Sequence, residues 1–302
     1  MISVIVCTYN REKLLASCID SLVNQDCPPG DYEIILINNC STDNTEQLCL
    51  KRLHKYPGLQ IRYFLETKQG LSNARNRGIK ESMGNVITFI DDDAFADKDY
   101  IHNLKKTFRT SGVAAGGGKI LPNWEKKRPK WISRFLLPLV SVLNMGDQII
   151  AFKRNEYPIG ANMFFRKSLF EKTGFFDPML GRSLKNMLGN EEKDLFIKIK
   201  KLGFEICYFP NITVHHYIPE ERTKISFIKK QALGIGQSER IRTRLNKKER
   251  IRVFFNEIIK WGGSIVLSLY YILLFNPQKA KMLILFRYWV SKGIFSKSNQ
   301  QN

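Results

Sequence analysis

The first hundred residues alternate between short apolar segments and segments whose apolar residues recur at helical spacing. Ile2 to Cys7, Tyr32 to Ile37 and Ile61 to Leu65 predict strands, because each is short, rich in apolar side chains and bounded by turn residues. Glu12 to Val23 and Thr45 to Lys55 carry apolar side chains three and four positions apart, which predicts helices. Strands that alternate with helices over short links form a mostly parallel sheet covered by helices on both faces. The sequence therefore predicts an α/β domain.

A further apolar strand, Val86 to Ile90, ends in three consecutive carboxylates, Asp91, Asp92 and Asp93. Adjacent carboxylates repel one another, so a tight cluster must take up protons, turn into water or share a cation. Oxygen ligands favour Mg²⁺ or Mn²⁺, which often complete their coordination with substrate phosphates. An acidic surface turn explains the triplet equally well when it is considered alone. The surrounding residues must decide between the two interpretations.

Polar turns also follow the first two predicted strands. Thr8 to Arg11 follows the first strand, and Asn38 to Asp43 follows the second. The carboxyl ends of parallel strands meet at one edge of a sheet, where open α/β sheets bind their ligands. We therefore expect both turns to lie beside the aspartates, where they would form a nucleotide pocket next to a metal site.

Two later segments carry titratable side chains suited to the same site. Glu191 and Glu192 open a predicted helix, where a carboxylate facing the metal could accept a proton from an attacking hydroxyl. Acidic residues are also favoured in the first turn of any helix by its dipole, which is the alternative interpretation. His215 and His216 follow a strand predicted over Phe204 to Phe209 and could offer a nitrogen to the cation, although a lone histidine is more often a packing residue.

The region between these segments is less regular. Tyr100 to Phe108 predicts a helix, and Val113 to Ile120 predicts a strand interrupted by glycines. Ile159 to Phe165 predicts another strand, and Gly160 to Asn162 at its start permits a close approach of the backbone to other groups.

Positive charge is concentrated in the last quarter of the chain. The net charge is +20, which favours an anionic partner such as nucleic acid, an acidic membrane surface or a phosphorylated small molecule. Residues 222–302 hold 17 Lys and Arg against three Glu and no Asp. Within them, Ile225 to Arg252 predicts a helix interrupted near Gly234 to Gly236, followed by the apolar stretches Trp261 to Phe275 and Met282 to Val290.

A spanning helix needs about 20 apolar residues, so the first of these apolar stretches is marginal for crossing a bilayer. A pair of interfacial or re-entrant helices, drawn to anionic lipid by Lys and Arg, fits the pattern better. A buried helical extension and a dimer interface are the alternatives.

The six cysteines and the N-terminus indicate a cellular compartment. The cysteines form no CxxC pair, which favours structural thiols in a reducing compartment. Met1 leads directly into an apolar strand without the charged flank or cleavage site of a signal peptide. We therefore expect a cytoplasmic protein, peripheral or monotopic at the cytoplasmic face of a membrane.

Five motifs occur in order within residues 1 to about 245, namely Val4 to Arg11, Asn38 to Thr45, Gly70 to Gly78, Phe89 to Asp93 and Glu191 to Leu195. Together they resemble glycosyltransferase family 2, a family of inverting enzymes with the Rossmann-like GT-A fold. The resemblance implies a GT-A catalytic domain over residues 1–221, with a nucleotide-sugar half at about 1–98 and an acceptor half at about 99–221. A basic helical extension would occupy residues 222–302.

The resemblance also implies roles for the matching side chains. Glu192 would be the catalytic base, with Glu191 as the alternative candidate. Asp92 would be the aspartate that best tolerates substitution. The acceptor would contact Glu191, Asn162 and Asp194. A Mn²⁺ or Mg²⁺ ion would be held by Asp93, Asp91 and His216. The nucleotide-sugar would contact Thr8, Tyr9, Asn10, Arg11, Asn38, Asp43, Gly70, Arg75, Asp91 and Asp92.

The sequence departs from the family pattern at two of these positions. Asn38 stands where the family often has an aspartate that pairs with the ring N–H of uracil or thymine. The acidic motif, which commonly ends in Glu-Asp, here reads Glu191-Glu192 and moves the base by about one methylene group.

The implied reaction moves a sugar, with inversion, from a UDP- or dTDP-sugar to a hydroxyl of a glycan or lipid-linked acceptor in cell-surface polysaccharide synthesis. An anionic membrane surface is a further expected partner, and nucleic acid is not. One alternative is a nucleic-acid-binding protein that uses the basic C-terminal region, but it leaves the strand-end aspartates unexplained. A sugar-nucleotide pyrophosphorylase is the other alternative, but its glycine-rich, basic N-terminal turn is replaced here by Thr8 to Arg11.

Overall fold

A computed structural model describes residues 1–183 and 187–296. The chain forms two compact units. The first, here called the sheet unit, comprises Met1–Asn123, Ser141–Pro178 and Glu191–Tyr217. The second, here called the helical unit, comprises Trp124–Val140, Met179–Asn190 and Ile218–Asn302. The domain boundaries expected near residues 98 and 221 stay predictions.

A nine-stranded sheet runs through the described residues of the sheet unit. Its first four strands are parallel and lie in the order β3-β2-β1-β4. Beyond β4, strand β8 pairs antiparallel with β4 and β6, and strands β5 and β7 pair antiparallel with β9. The strands are β1 (Ile2–Thr8), β2 (Tyr32–Asn38), β3 (Ile61–Leu65), β4 (Val86–Ile90), β5 (Ala94–Ala96), β6 (Ala115–Trp124), β7 (Ile150–Ala151), β8 (Asn162–Arg166) and β9 (Ile206–Ile218).

Helices cover both faces of this sheet. Neighbouring side chains of a strand point to opposite faces, so the apolar residues of β1 are divided between two clusters. Val4 and Val6 of β1 belong to the same apolar cluster as Leu15. Ile5, between them, belongs to the other cluster with Ile79. The helices are α1 (Leu15–Val23), α2 (Thr45–Lys55), α3 (Leu71–Glu81), α4 (Tyr100–Thr110), α5 (Leu169–Thr173) and α6 (Glu191–Lys201).

The α/β architecture predicted for the first hundred residues is confirmed, and the bounds of α2 and β3 coincide with the prediction. The second half of the sheet differs in detail, since its strands return antiparallel. β9 is also longer than predicted and runs unbroken to Ile218. His215 and His216 therefore lie within a strand, and their position in the sheet is fixed by its pairing.

The helical unit ends in three helices, α7 (Ile225–Thr243), α8 (Lys247–Leu273) and α9 (Pro277–Phe295). The predicted interruption near Gly234 to Gly236 is wrong, because α7 continues through these residues. A Cβ atom on Gly236 would lie 2.1 Å from the Val290 carbonyl oxygen, and one on Gly293 would lie 2.3 Å from that of Leu233. The glycines therefore permit α7 and α9 to touch along their backbones. The break in the predicted helix comes after Thr243, where α7 ends, and Asn246 caps the start of α8.

Among the described residues, no helix combines the length and the apolar character that crossing a membrane requires. The six cysteines are free thiols, as the sequence predicted.

Candidate active site

The aspartate triplet and His216 are brought together by the pairing of β5 with β9. Ala94, the residue after the triplet, lies opposite His216, and the Tyr217 N–H donates a 2.8 Å hydrogen bond to the Asp93 carbonyl. One ligand atom from each of Asp91, Asp93 and His216 lies within 4.8 Å of the other two. Two carboxylates and an imidazole are a donor set that can bind Mn²⁺. These three residues are the predicted metal ligands, and their arrangement fits a cation.

Exposure differs among these three side chains. Asp93 and His216 are buried, and the His216 Nε2 lies 3.1 Å from the Asp93 Oδ1. The Asp91 side chain is 33% exposed. The cluster is therefore reached from the side of Asp91.

Arg11 neutralises part of the negative charge of the triplet. Its Nε lies 3.4 Å from Asp92 Oδ1 and its Nη2 lies 3.3 Å from Asp93 Oδ2. Burial and the nearby charge of Asp93 nevertheless raise the pKa of Asp92 to about 7, with Arg11 acting in the opposite direction. The excess of negative charge is what a divalent cation would relieve. The expectation that Asp92 best tolerates substitution is untested, but its burial and its ion pair argue against it.

A second acidic pair lies on the other side of Arg75. The Arg75 Nη1 is 2.9 Å from Glu191 Oε1 and 3.0 Å from Glu192 Oε1. Its Nη2 is 4.0 Å from Asp91 Oδ1. Glu191 and Glu192 open α6, so the chain supplies these carboxylates about a hundred residues after the triplet. Arg75 was expected near a diphosphate, and the structure places it between the candidate metal ligands and the candidate base.

The two glutamates differ in burial and in proton affinity. Glu191 is buried, and desolvation followed by the charge of Glu192 raises its pKa to about 8, although Arg75 opposes this shift. The raised pKa favours the protonated, uncharged form of Glu191. The Glu192 side chain retains 18% exposure. The more accessible Glu192 is therefore better suited to meet an acceptor hydroxyl.

Gly160 leaves the space that this arrangement of charges needs. A Cβ atom on Gly160 would lie 2.2 Å from Arg75 Nη2 and 2.4 Å from Glu192 Oε1. The close approach that the sequence predicted near residues 160–162 is thus an approach to the ion pair of the candidate base. Gly160 was not among the predicted site residues.

The turns after β1 and β2 lie together at the carboxyl edge of the sheet, as predicted. The Asn39 N–H donates to the Thr8 carbonyl at 2.9 Å. Asn10 has a left-handed backbone, with φ of 52°. Its N–H donates to Ser41 Oγ at 3.0 Å, and its Oδ1 accepts from the Thr42 N–H at 2.8 Å. The two turns form one hydrogen-bonded surface.

Two predicted nucleotide ligands use their polar side-chain atoms in hydrogen bonds within the protein. Asn38 is buried, its Nδ2 donates to Tyr63 Oη at 3.0 Å, and its Oδ1 accepts from the Ser41 N–H at 3.0 Å. Asp43 Oδ1 accepts from the N–H and the hydroxyl of Thr45, at 3.0 and 2.5 Å, at the start of α2. Both residues shape the turns, and direct contact of either with a nucleotide stays a prediction.

Gly70 precedes α3 with φ of 128°, and its N–H donates to Asn39 Oδ1 at 2.8 Å. It therefore shapes the backbone next to the nucleotide turns. Tyr9 is half-buried and directly follows β1. Asp194 pairs with Lys198 along α6, with Oδ2 and Nζ 2.8 Å apart. The structure brings neither Tyr9 nor Asp194 into the contacts of Arg75 described above.

Asn162 uses its side-chain amide within the protein, and its predicted contact with the acceptor stays a prediction. It is fully buried, and its Oδ1 accepts from Tyr100 Oη at 3.0 Å. Its Nδ2 donates to the carbonyls of Lys119 and Ile212, at 3.0 and 2.9 Å. The amide joins β8 to β6 and β9.

Phe176 is a site neighbour that the sequence did not reveal. The Arg75 guanidinium lies 5.4 Å from the centre of the Phe176 ring and 5.8 Å from that of Phe89. Asn76 holds the Phe176 backbone through hydrogen bonds of 2.8 and 3.0 Å. No spacing in the sequence indicates this contact, because a hundred residues separate the partners.

Comparison with known proteins gives a family match and several relatives. The model of the family described as "Glycosyl transferase family 2" matches residues 3–174. The glucosyl-dolichyl phosphate glucuronosyltransferase of Haloferax volcanii is 26% identical over 245 residues, which cover 80% of this chain and 76% of that protein. The succinoglycan biosynthesis protein ExoM of Rhizobium meliloti is 25% identical over 239 residues, which cover 77% and 72%.

Among solved structures, the chain is similar to the mannosyltransferase PcManGT from Pyrobaculum calidifontis in complex with GDP-Man and Mn²⁺. The TM-score is 0.68 at 17% sequence identity, and the match covers 98% of this chain and 88% of that one. At this identity the likeness establishes the fold.

Proposed function

The chain belongs to glycosyltransferase family 2 and has the GT-A fold, and on this premise we propose that it transfers a sugar with inversion from a nucleotide-diphosphate sugar to a hydroxyl of a glycan or lipid-linked acceptor. UDP- and dTDP-sugars are the favoured donors. The catalytic domain extends over residues 1–221 in this proposal. The alternative of a nucleic-acid-binding protein has no support from the relatives described above.

The observation that carries the proposal is the position of Arg75. One guanidinium contacts both glutamates and approaches Asp91 of the candidate metal cluster. Transfer needs negative charge to be stabilised on the leaving group and a base beside the acceptor. Arg75 keeps these two functions within a few ångströms of each other. It also neutralises charge that would otherwise make the carboxylates repel one another.

Asp91, Asp93 and His216 would hold the metal ion. When bound, Mn²⁺ or Mg²⁺ would supply Lewis-acid stabilisation of the leaving diphosphate. The turns after β1 and β2 would bind the nucleoside beside it, with Arg11 and Asp92 bordering the metal site.

Glu192 would act as the general base. The Arg75 Nη1 lies 3.0 Å from its Oε1 and holds the carboxylate in place. Glu192 takes the proton of the acceptor hydroxyl as that oxygen attacks the anomeric carbon from the face opposite the diphosphate. The bond from the anomeric carbon to the diphosphate oxygen breaks, and its electron pair leaves with the diphosphate. The configuration inverts in this single displacement, which requires no covalent enzyme intermediate.

The relatives include a transferase named for a dolichyl-phosphate-linked substrate and a protein named for succinoglycan biosynthesis. These names support a lipid-linked or polysaccharide acceptor in cell-surface polysaccharide synthesis. A lipid-linked acceptor would bring this enzyme to an anionic membrane surface.

A donor screen tests the proposal. Thermal unfolding is measured with UDP-, GDP- and dTDP-sugars, each with Mn²⁺, with Mg²⁺ and with EDTA, and the donors that bind are then assayed for hydrolysis. We expect at least one UDP- or dTDP-sugar to raise the melting temperature only when metal is present, because the aspartate cluster would hold the cation that stabilises the negative charge of the diphosphate. Asp93→Ala should lose this increase. Stabilisation that is equal with metal and with EDTA would contradict the metal-dependent site.

A further inference from the structure

Most of the residues that helix α8 buries are polar, and most of its large apolar side chains are exposed. Its buried residues are Glu257, Ser264, Ser268 and Tyr271. Helices on the surface of a soluble protein show the opposite arrangement. The exposed side includes Phe255, Ile258, Ile259, Val266, Leu269 and Leu273.

These six apolar residues, here called the α8 stripe, form one continuous face. At 3.6 residues per turn they lie within an arc of about 100° and extend about 27 Å along the helix. Ile259 is 71% exposed and Leu273 is 77% exposed. Scattered apolar residues on a surface are normal, but a continuous apolar face indicates a surface that binds a partner.

The rotation of α8 about its axis is fixed by polar contacts with α9. Glu257 accepts hydrogen bonds from Arg287 Nη1 at 3.1 and 3.2 Å and from Ser291 Oγ at 2.9 Å. Trp261 Nε1 donates to the same Ser291 hydroxyl at 2.9 Å. Ser268 Oγ donates to the carbonyl of Ala280 at 3.2 Å. Because these groups are paired with α9, the stripe is the face that α8 leaves open.

The turn between α8 and α9 extends the apolar surface. Leu273 and Leu274 are exposed, and Phe275 is 94% exposed with a left-handed backbone at φ of 54°. Lys279 and Lys281 follow within the first turns of α9. The exposed Phe275 ring is thus followed within six residues by two lysines. The surface is apolar at its centre and cationic at its margin.

The charge around the stripe points to an anionic partner. Lys247, Lys248 and Arg250 are exposed at the start of α8. The two acidic residues of α8 are already paired. Glu257 binds Arg287, and Glu249 lies 3.7 Å from Arg252 and 3.8 Å from Arg242.

A second copy of this chain would bring the same positive charge against the stripe, whereas anionic lipid would neutralise it. A bilayer surface also accepts a long apolar stripe without requiring a complementary groove.

We propose that α8 lies in the plane of an anionic lipid bilayer, with the stripe and Phe275 at the boundary of the acyl chains and the basic residues among the headgroups. An amphipathic helix in this position sits about 5–10 Å into the headgroup region. This inference concerns a docking surface and does not depend on the transfer reaction.

Vesicle flotation of the full-length protein tests the proposal. Wild-type protein is mixed with vesicles of neutral phosphatidylcholine or of phosphatidylcholine containing phosphatidylglycerol. We expect binding to the phosphatidylglycerol vesicles, weakening as salt is raised. The double variant Ile259→Glu with Val266→Glu should reduce binding at least tenfold. The control Met83→Glu with Leu202→Glu changes the net charge equally at exposed apolar positions of the sheet unit, and it should bind like wild type.

Equal loss of binding in both double variants would overturn the proposal, as would wild-type protein that floats with neither vesicle. A wild-type dimer in light scattering that becomes monomeric only in the stripe variant, without vesicle binding, would identify a second copy as the occupant. Hydrogen exchange of wild-type protein gives a test that does not depend on folding of the variants. Residues 255–275 should gain protection on phosphatidylglycerol vesicles, and unchanged exchange there would also overturn the proposal.

Discussion

Arg75 organises the charges of the candidate site at the scale of single residues. Burial lowers the pKa of its guanidinium, but the charges of Glu192, Glu191 and Asp91 more than compensate, so it stays protonated. The rings of Phe89 and Phe176 lie beside the cation. A buried cation that serves several carboxylates holds them in one arrangement, because each carboxylate would otherwise repel the next.

The raised pKa of Glu191 predicts a pH dependence of stability. Burial and the charge of Glu192 raise this pKa from 4.5 to about 8 in the folded protein. The folded state therefore binds more protons than the unfolded state between these values, and stability falls as pH rises through that window. We expect the unfolding free energy of wild-type protein to decrease between about pH 5 and pH 8 in denaturant titrations. Glu191→Gln should reduce this decrease, and an unchanged slope in that variant would contradict the assignment.

Gly160→Ala tests the packing of the base. The added methyl group would meet the ends of the Arg75 and Glu192 side chains, which must then move. We expect donor turnover to fall about 100-fold, because a displaced base no longer meets the acceptor oxygen. The melting temperature should change little. Gly112→Ala is the control, since nothing lies within 4 Å of its Cβ position. Full activity of Gly160→Ala would show that the base tolerates this displacement.

The sequence predicted which residues lie at the carboxyl edge of the sheet better than it predicted what each side chain does there. Asp91, Asp93 and His216 meet as expected. The Asn162 side chain, by contrast, donates its hydrogen bonds to backbone carbonyls. A motif places a residue at a strand end, but only the folded chain determines whether its polar atoms are already paired.

Helices and strands were predictable where local pattern sufficed. Strands β1 to β4 and helices α1 and α2 follow from apolar spacing and turn residues. Strand direction beyond β4 does not follow, since an apolar run predicts a strand without indicating which neighbour it pairs with. The glycines of α7 were misread for a related reason. Glycine weakens an isolated helix, but here it is required by contact with α9.

Substitution of Gly236 tests that packing. A Cβ atom there would meet backbone atoms of α9, which cannot move as a side chain can. We expect Gly236→Ala to lower the unfolding free energy by about 1–3 kcal/mol in denaturant titrations. Gly262→Ala is the control, because Gly262 lies on α8 and no atom lies within 4 Å of its Cβ position. This substitution should raise the unfolding free energy by about 0.5–1 kcal/mol. Equal effects of the two substitutions would contradict the close contact of α7 with α9.

At the scale of the whole molecule, charged residues are distributed unevenly along the chain. The acidic and cationic residues of the candidate site belong to the sheet unit, whereas most of the net positive charge lies in residues 222–302. The uneven charge was visible in the sequence. That α8 turns its apolar side outward was not, because spacing shows that a helix has an apolar face without showing which face its neighbours cover.

Donor turnover by the purified Glu192→Gln variant tests the central claim most directly. With the best donor and Mn²⁺, water replaces the acceptor hydroxyl, and release of the nucleoside diphosphate is followed over time. We predict that turnover falls at least about 100-fold, because an amide cannot take the proton. The metal-dependent increase in melting temperature caused by the donor should persist. Turnover near that of wild-type protein would contradict Glu192 as the base and, with it, the proposed geometry of transfer.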